Sequence, residues 1–391
     1  MTRKVRVALL GAGGWMGKCH TLGYRNVPQL FPEKDVAPDI IWVVDASPDV
    51  LSALRPHYDG ARFSPTWQEA LDDPAVDLVD ICLPDNLHYE VAKAALLAGK
   101  HVYCEKPFTE TVDQARELAQ LAEERNLACR VGHNFPINPV HEITRELIEN
   151  GAIGDLVLFK ASMHVDALAA PEAPFMWRCD GELSPTGTVG DIASHIFSYV
   201  NYLLGKVDSL VAEVATTTAE RPVVEGSGYV SAPVMDADAP RRKVTNSDMV
   251  TLLCKFPNGG KGLIDVSRVA HGRRFHQTYE IYGNRGAIAF DYDNVNRLRV
   301  ALMSEAPDGA AQWRDIDCGP DRANYGAFLP VPNFGLGFNE FKTIEIAQVL
   351  ESAATGRSSW PNFRDGLEIT KMVSACLESA QSGSWVDLPE D

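Results

Sequence analysis

The chain has 391 residues, more than one hydrophobic core usually serves, so two domains are expected. Its 45% hydrophobic and 23% charged residues are ordinary for a globular protein, and a formal charge of −17 argues against nucleic acid and anionic membranes as partners. The eight cysteines are scattered, with no Cys-x-x-Cys pair, which argues against a zinc knuckle or a disulfide framework and for a reducing, cytoplasmic setting; no metal site is expected.

The basic start, Met1 to Lys4, leads into Val5 to Leu10, an apolar run too short for a signal peptide or membrane span and read as a strand. It breaks into Gly11-Ala12-Gly13-Gly14-Trp15-Met16-Gly17, after which a helical pattern begins. Ile40 to Val44 is a second strand ending at Asp45, and Val76 to Leu83 a third ending at Pro84, with helices around Ser47 to Arg55 and Thr66 to Leu71. The helix Tyr89 to Leu97, the strand His101 to Cys104, the helix Val112 to Arg125 and the strand Leu127 to Val131 continue the alternation. This rhythm implies parallel βαβ units, a doubly wound Rossmann sheet over residues 1–132, whose ligands bind at the carboxyl ends of the strands.

After His133 the rhythm changes. A helix at Val140 to Glu149 precedes strand-like segments at Leu156 to His164, Leu210 to Thr218, Met249 to Phe256, Gly262 to Arg268 and Thr278 to Tyr282. Pro257-Asn258-Gly259-Gly260 and Asn284-Arg285-Gly286 are hairpin turns. Residues 133–391 are therefore expected to form an α/β domain with a large open, mainly antiparallel sheet, carrying helices at Asp191 to Leu204 and Asn339 to Ala354. The polar stretch Ala219 to Lys243 is expected to be a long surface loop.

Glycines after a first strand let the backbone approach a pyrophosphate, which then faces the N–H groups at the start of the next helix. Gly11, Gly13 and Gly17 give the spacing GxGxxxG; counted back from Gly17, Gly14 and Ala12 fill the regular spacing instead, and both registers stay open. Asp45 ends the second strand 34 residues after Gly11, beyond the usual ~20, a surplus assigned to an insertion from Arg25 to Pro38. Its carboxylate can accept from ribose hydroxyls and would repel a 2′-phosphate, so NAD is expected over NADP.

Leu83-Pro84-Asp85-Asn86-Leu87-His88 and Cys104-Glu105-Lys106-Pro107 end two strands on the cofactor edge. Beside an oxidised nicotinamide cation the Lys106 amine is expected to give up its proton more readily and serve as acceptor or relay. Asp191 and His195, four apart, share a helix face, where histidine can take a hydroxyl proton and the carboxylate can support it. Arg178, beside Trp177, invites reading as a clamp for an acidic sugar, whereas Arg273 and Arg274 are read as hydrated surface charges.

The run Gly11 to His20, Asp45, Pro84 to His88, Glu105-Lys106-Pro107, Gly132-His133-Asn134, and Asp191 with His195, in this order, resembles the Gfo/Idh/MocA oxidoreductase family. The resemblance implies a catalytic set of Lys106, Asp191 and His195. It also implies that Asn86, His88, Glu105 and Asn134 lie near the nicotinamide or sugar, and that the protein is a homo-oligomer, dimer or tetramer, built through the open sheet. The full expected cofactor set is Gly11, Gly13, Gly14, Trp15, Met16, Gly17, Asp45, Leu83, Pro84, Asn86, His88, Glu105, Lys106 and Asn134; the substrate set is Lys106, Asn134, Trp177, Arg178, Asp191 and His195. Met16 to His20, Trp177 to Asp180 and Leu336 to Glu340 look most like the branch with inositol and levoglucosan dehydrogenases, which implies oxidation of a secondary ring hydroxyl of a sugar or cyclitol. The same residues would serve an NAD-dependent glycoside hydrolase working by transient oxidation, and Lys106 with His195 argue against a dinucleotide sensor without activity.

Overall fold

A computed structural model describes residues 2–224, 236, 238–306 and 308–389. Two compact units divide the chain: Met1–Pro139 with Gly319–Leu367, and Val140–Cys318 with Glu368–Asp391. The first unit thus takes in 319–367, a stretch that a division at residue 132 assigns to the second half.

In the first unit, β1 (Arg3–Leu10), α1 (Trp15–Leu30), β2 (Val36–Val44), α2 (Pro48–Leu54), β3 (Arg62–Ser64) and α3 (Gln68–Asp72) form one half of a doubly wound fold. β4 (Leu78–Ile81), α4 (His88–Leu97), β5 (His101–Glu105), α5 (Val112–Glu124) and β6 (Cys129–Gly132) form the other. All strands pair in parallel, in the order β3-β2-β1-β4-β5-β6. The central strands read as unbroken apolar runs because both faces are covered: Val7, Ala8, Leu9, Leu10, Val79 and Ile81 are fully buried. β3 has no apolar run and only one fully buried residue, Ser64, which is why the sequence pattern passes over it. The residues from Arg25 to Pro38 are structured: α1 runs through Pro28 to Leu30, a short 3-10 turn follows at Pro32–Lys34, and β2 begins at Val36.

The second unit opens with α6 (Val140–Glu149) and β7 (Leu156–His164). Then come a 3-10 turn at Trp177–Cys179, a π-helical segment at Val189–Ala193, α7 (Ser194–Leu204) and β8 (Ser209–Ala215). β9 (Glu220–Pro222) and β10 (Arg241–Lys243) form an antiparallel ribbon, so both ends of the expected 219–243 loop are ordered strands; residues 225–235 and 237 lie outside the described residues. The ribbon is anchored by Arg221, fully buried, whose guanidinium donates to the carbonyls of Leu168 and Ala170.

β11 (Met249–Lys255), β12 (Lys261–Ser267), β13 (His276–Gly283), β14 (Gly286–Asp291), β15 (Arg297–Leu302), β16 (Arg314–Asp317) and β17 (Val386–Asp387) complete a nine-stranded sheet, β16-β15-β14-β13-β7-β12-β11-β8-β17. Its pairs are antiparallel except β12 with β7. The strands alternate buried and exposed residues, as a sheet covered on one face must. The buried side of this unit holds a neutral aromatic cluster, His141, Tyr199, Tyr279 and Phe290.

Back in the first unit, α8 (Ala323–Gly326) and α9 (Phe338–Thr355) follow, α9 packing along α1. Gly23 makes room for this contact, since a Cβ there would stand 2.4 Å from Ile346 Cδ1. α10 (Phe363–Ser382) begins in the first unit, with Phe363 and Leu367 in its core, and ends in the second.

Candidate active site

The glycine turn joins β1 to α1. Gly11 has φ 79°, the left-handed region, and a Cβ there would meet the Cys82 carbonyl oxygen at 2.4 Å. A Cβ on Gly13 would stand 2.2 Å from Val50 Cγ1 and 2.8 Å from Asp45 Oδ2, and one on Gly17 would stand 2.5 Å from the Gly11 oxygen. At Gly14 the nearest approach is 3.4 Å. The positions where only glycine fits are therefore 11, 13 and 17, which settles the register left open by spacing alone. No side chain caps the start of α1, so the turn offers backbone N–H groups and a close surface to an anionic ligand. A tight glycine turn that leads into an uncapped helix start fits a pyrophosphate.

Asp45, at the end of β2, accepts from Gly13 N–H (3.0 Å) and Ser47 N–H (3.1 Å), so its carboxylate is held against the turn. Trp15, the first residue of α1, is 58% exposed and stacks on Phe338 at 5.1 Å between ring centroids. Met16 follows it on the same turn.

Leu83 and Pro84 leave the end of β4, and Asn86 is exposed in a single 3-10 turn. His88 is buried, and its ring nitrogens meet the carbonyls of Pro107 (2.7 Å) and Leu83 (2.9 Å). Its imidazole thus ties together the loops after β4 and β5. Lys106, half-buried, follows β5 and is joined to Pro107 by a cis peptide bond.

Glu105 turns inward. Its side chain accepts from His20 Nε2 (3.0 Å) and from Lys342 Nζ, and its second oxygen lies 3.3 Å from the Lys106 backbone N–H. Gly132 makes room, since a Cβ there would stand 2.5 Å from Glu105 Oε1. Burial alone would raise the Glu105 carboxyl, but the Lys342 ammonium and the His20 ring hold it well below the usual carboxylate range. His20 also donates from Nδ1 to Asp80 (2.9 Å); burial opposes its cation, yet Asp80 and Glu105 prevail and raise it to about 9. Lys342, buried in α9, also binds Glu345 (2.7 Å) and Tyr103 Oη (3.0 Å), and the two carboxylates outweigh burial to raise its pKa. No motif in the sequence marks Asp80, Lys342 or Glu345, and His20 stands only at the end of the glycine run; α9 also carries Asn339, Glu340, Gln348 and Glu351, so Lys342 and Glu345 do not stand out from it.

His133 and Asn134 follow β6. Burial, then the Lys106 charge, keeps the His133 ring neutral, with its pKa brought down to about 3. Asn134 is 1% exposed, and its side-chain nitrogen has no partner among the described residues. A buried amide donor of this kind at the edge of a nucleotide-binding sheet suits a ligand carbonyl or hydroxyl.

In the second unit, Trp177 and Arg178 share a 3-10 turn, and the guanidinium lies 4.2 Å from the Trp177 ring centroid. Arg178 Nε is 3.3 Å from Asp191 Oδ2, so the side chain read as an anion clamp already faces a carboxylate. Asp191 lies in the π-helical segment and His195, 8% exposed, is the second residue of α7. The expected single α-helix from Asp191 is corrected: the chain widens by a π turn at Val189–Ala193 before α7, a local departure often found at functional sites. Gly187, with φ 51°, precedes it, and within it lies Gly190, where a Cβ would stand 2.0 Å from Thr186 Oγ1. Arg273 and Arg274 are exposed. All eight cysteines are free thiols, seven of them buried. Among the described residues no helix is long and apolar enough to cross a membrane.

Residues 5–133 match the NAD-binding Rossmann-fold model of the oxidoreductase family, and residues 145–388 match its C-terminal alpha/beta domain model. A levoglucosan dehydrogenase of Pseudarthrobacter phenanthrenivorans is 32% identical over 388 residues, 99% of each chain. The solved apo form of a levoglucosan dehydrogenase is 33% identical and superposes with a TM-score of 0.92 over 100% of both chains. Another levoglucosan dehydrogenase structure, in complex with NADH, is 32% identical with a TM-score of 0.91 over 100% of both chains. An inositol dehydrogenase homologue from Azotobacter vinelandii shares the fold, with a TM-score of 0.79 over 99% of this chain and 98% of that one, at 19% identity. With its glycine cradle, its acid-ended second strand and both family domains in order, the chain belongs to the Gfo/Idh/MocA family of NAD-binding oxidoreductases.

Proposed function

We propose that the protein is an NAD-dependent dehydrogenase that oxidises a secondary hydroxyl of an uncharged sugar, glycoside or cyclitol ring to a ketone. The observation that carries this reading is Lys106 at the carboxyl end of β5, in a chain 32% identical along its full length to a levoglucosan dehydrogenase. NAD, when bound, supplies the hydride acceptor. The chain's part is to hold the cofactor with Gly11, Gly13, Gly17 and Asp45, and to move the hydroxyl proton. We assign that proton to Lys106 or His195, with Asp191 orienting the substrate or supporting the imidazole. Asn134 donates to the bound carboxamide or sugar.

The Arg178–Asp191 ion pair supports an uncharged substrate, because an arginine already matched by a carboxylate gains little from a second one. Asp45 supports NAD over NADP by repelling a 2′-phosphate. Assembly through the open face of the nine-stranded sheet belongs to the same reading: Leu253 and Leu263, directly opposite across β11 and β12, are 48% and 38% exposed.

The test is NADH formation from a panel of anhydrosugars, pyranosides and inositols against sugar acids. At least one uncharged compound is expected to exceed its carboxylated counterpart by about tenfold or more in kcat/KM. Preference for the acids, or aglycone released from a chromogenic glycoside without net NADH, would contradict the proposal.

A further inference from the structure

We propose that Lys342 is a positioning residue for Lys106, acting through Glu105, and that α9 thereby completes the cofactor edge from a distant part of the chain. The inference rests on the catalytic role given above to Lys106.

Phe338, Lys342 and Glu345 stand at i, i+4 and i+7, on one face of α9. Phe338 stacks on Trp15 beside the glycine turn, and Lys342 one turn later binds Glu105 beside Lys106. The ammonium has three donors, and three acceptors meet it: Glu105, Glu345 and the Tyr103 hydroxyl. His20 is used as fully, one ring nitrogen on Asp80 and the other on Glu105. Arg130, 1% exposed, lies 3.8 Å from Glu345 and donates to Gln348 (2.7 Å) and Ser359 (2.6 Å). Three acids and three bases are thus matched inside the first unit.

Such a network is a poor way to gain stability, because desolvating the charges offsets most of their attraction and apolar residues of similar size do as well. What it does give is orientation. The Glu105 carboxylate is gripped by two cations with no spare donors, its other oxygen takes the next backbone N–H, and the residue bearing that N–H is Lys106. The direction in which the chain leaves β5, and with it the aim of the Lys106 amine, is fixed by groups on α1 and α9.

Three variants decide it: Lys342→Met, Lys342→Arg and the double change Glu105→Gln with Lys342→Met, the last removing both partners so that no buried charge is left alone. Two readouts are taken, steady-state oxidation of the best sugar and the rate of Lys106 acetylation by limiting acetic anhydride, followed by mass spectrometry. Lys342→Met and the double variant are expected to lose about 10–100-fold in kcat, as misaimed catalytic groups do, while KM for NAD stays within about threefold. Lys342→Arg is expected to recover part of the loss, and Lys106 acetylation to change by about threefold or more in the Met variants. Folded Met or double variants with wild-type kcat and wild-type Lys106 acetylation would overturn the proposal. If the unaltered protein oxidises no sugar, the functional reading fails by itself, and Lys106 acetylation still decides the positioning role.

Discussion

His20 in the nucleotide-binding unit and His141 in the sheet unit are both fully buried, yet their surroundings are opposite. His20 lies between the carboxylates of Asp80 and Glu105 and is raised to about 9, whereas His141, among Tyr199, Tyr279 and Phe290, is brought down to about 3 by burial. The first environment is a matched set of charges that ends beside Lys106; the second is a neutral aromatic packing whose polar atoms, such as the Tyr279 hydroxyl, are met by His141 and Thr144. Of these two histidines, the charged one belongs to a network that reaches the backbone of Lys106, and the neutral one packs among aromatic rings in the sheet unit.

The comparison is broken most severely at the glycine turn, which has no counterpart under the nine-stranded sheet. Gly13→Ala puts a methyl group within 2.2 Å of Val50 Cγ1 and against Asp45. About a tenfold or greater rise in the NAD dissociation constant is expected, equivalent to roughly 1.4 kcal/mol, checked by titrating NADH fluorescence. A smaller effect separates the two histidines. Because the folded His20 pKa is raised, its contribution to stability is complete below about pH 6.5 and is lost as pH rises through about 9. For His141 the folded pKa is lowered, so its neutral burial favours folding above about pH 6.5 and this contribution is lost as pH falls towards 3. Melting temperatures across pH should therefore show His20→Gln flattening the alkaline decline and His141→Gln reducing the acid one. Exchange of these two effects would mean that the two cores are misread.

Much of this architecture is legible in the sequence, and the gaps have physical causes. Apolar runs report strands buried on both faces, so β1, β2 and β4 stand out, whereas the three-residue edge strand β3 lacks such a run. Alternation and the Pro257 to Gly260 turn report the β11–β12 hairpin. Glycine spacing alone leaves two registers; only the atoms around Gly11, Gly13 and Gly17 choose between them. Lys106, Asp191 and His195 are singled out by resemblance, but a π turn before α7 has no signature in residue spacing. Least legible is the Glu105–Lys342 pair, because 237 residues separate its members and a lysine in a helix reads as a surface charge until the fold buries it.

The most direct test of the central claim is a double-mutant cycle on kcat with Lys106→Ala and His195→Ala, at saturating NAD and sugar. Removing the group that takes the hydroxyl proton, by Lys106→Ala or His195→Ala, is expected to cost about 10²–10⁴-fold and the double change little more than the worse single. Near-normal turnover in both single variants would contradict it.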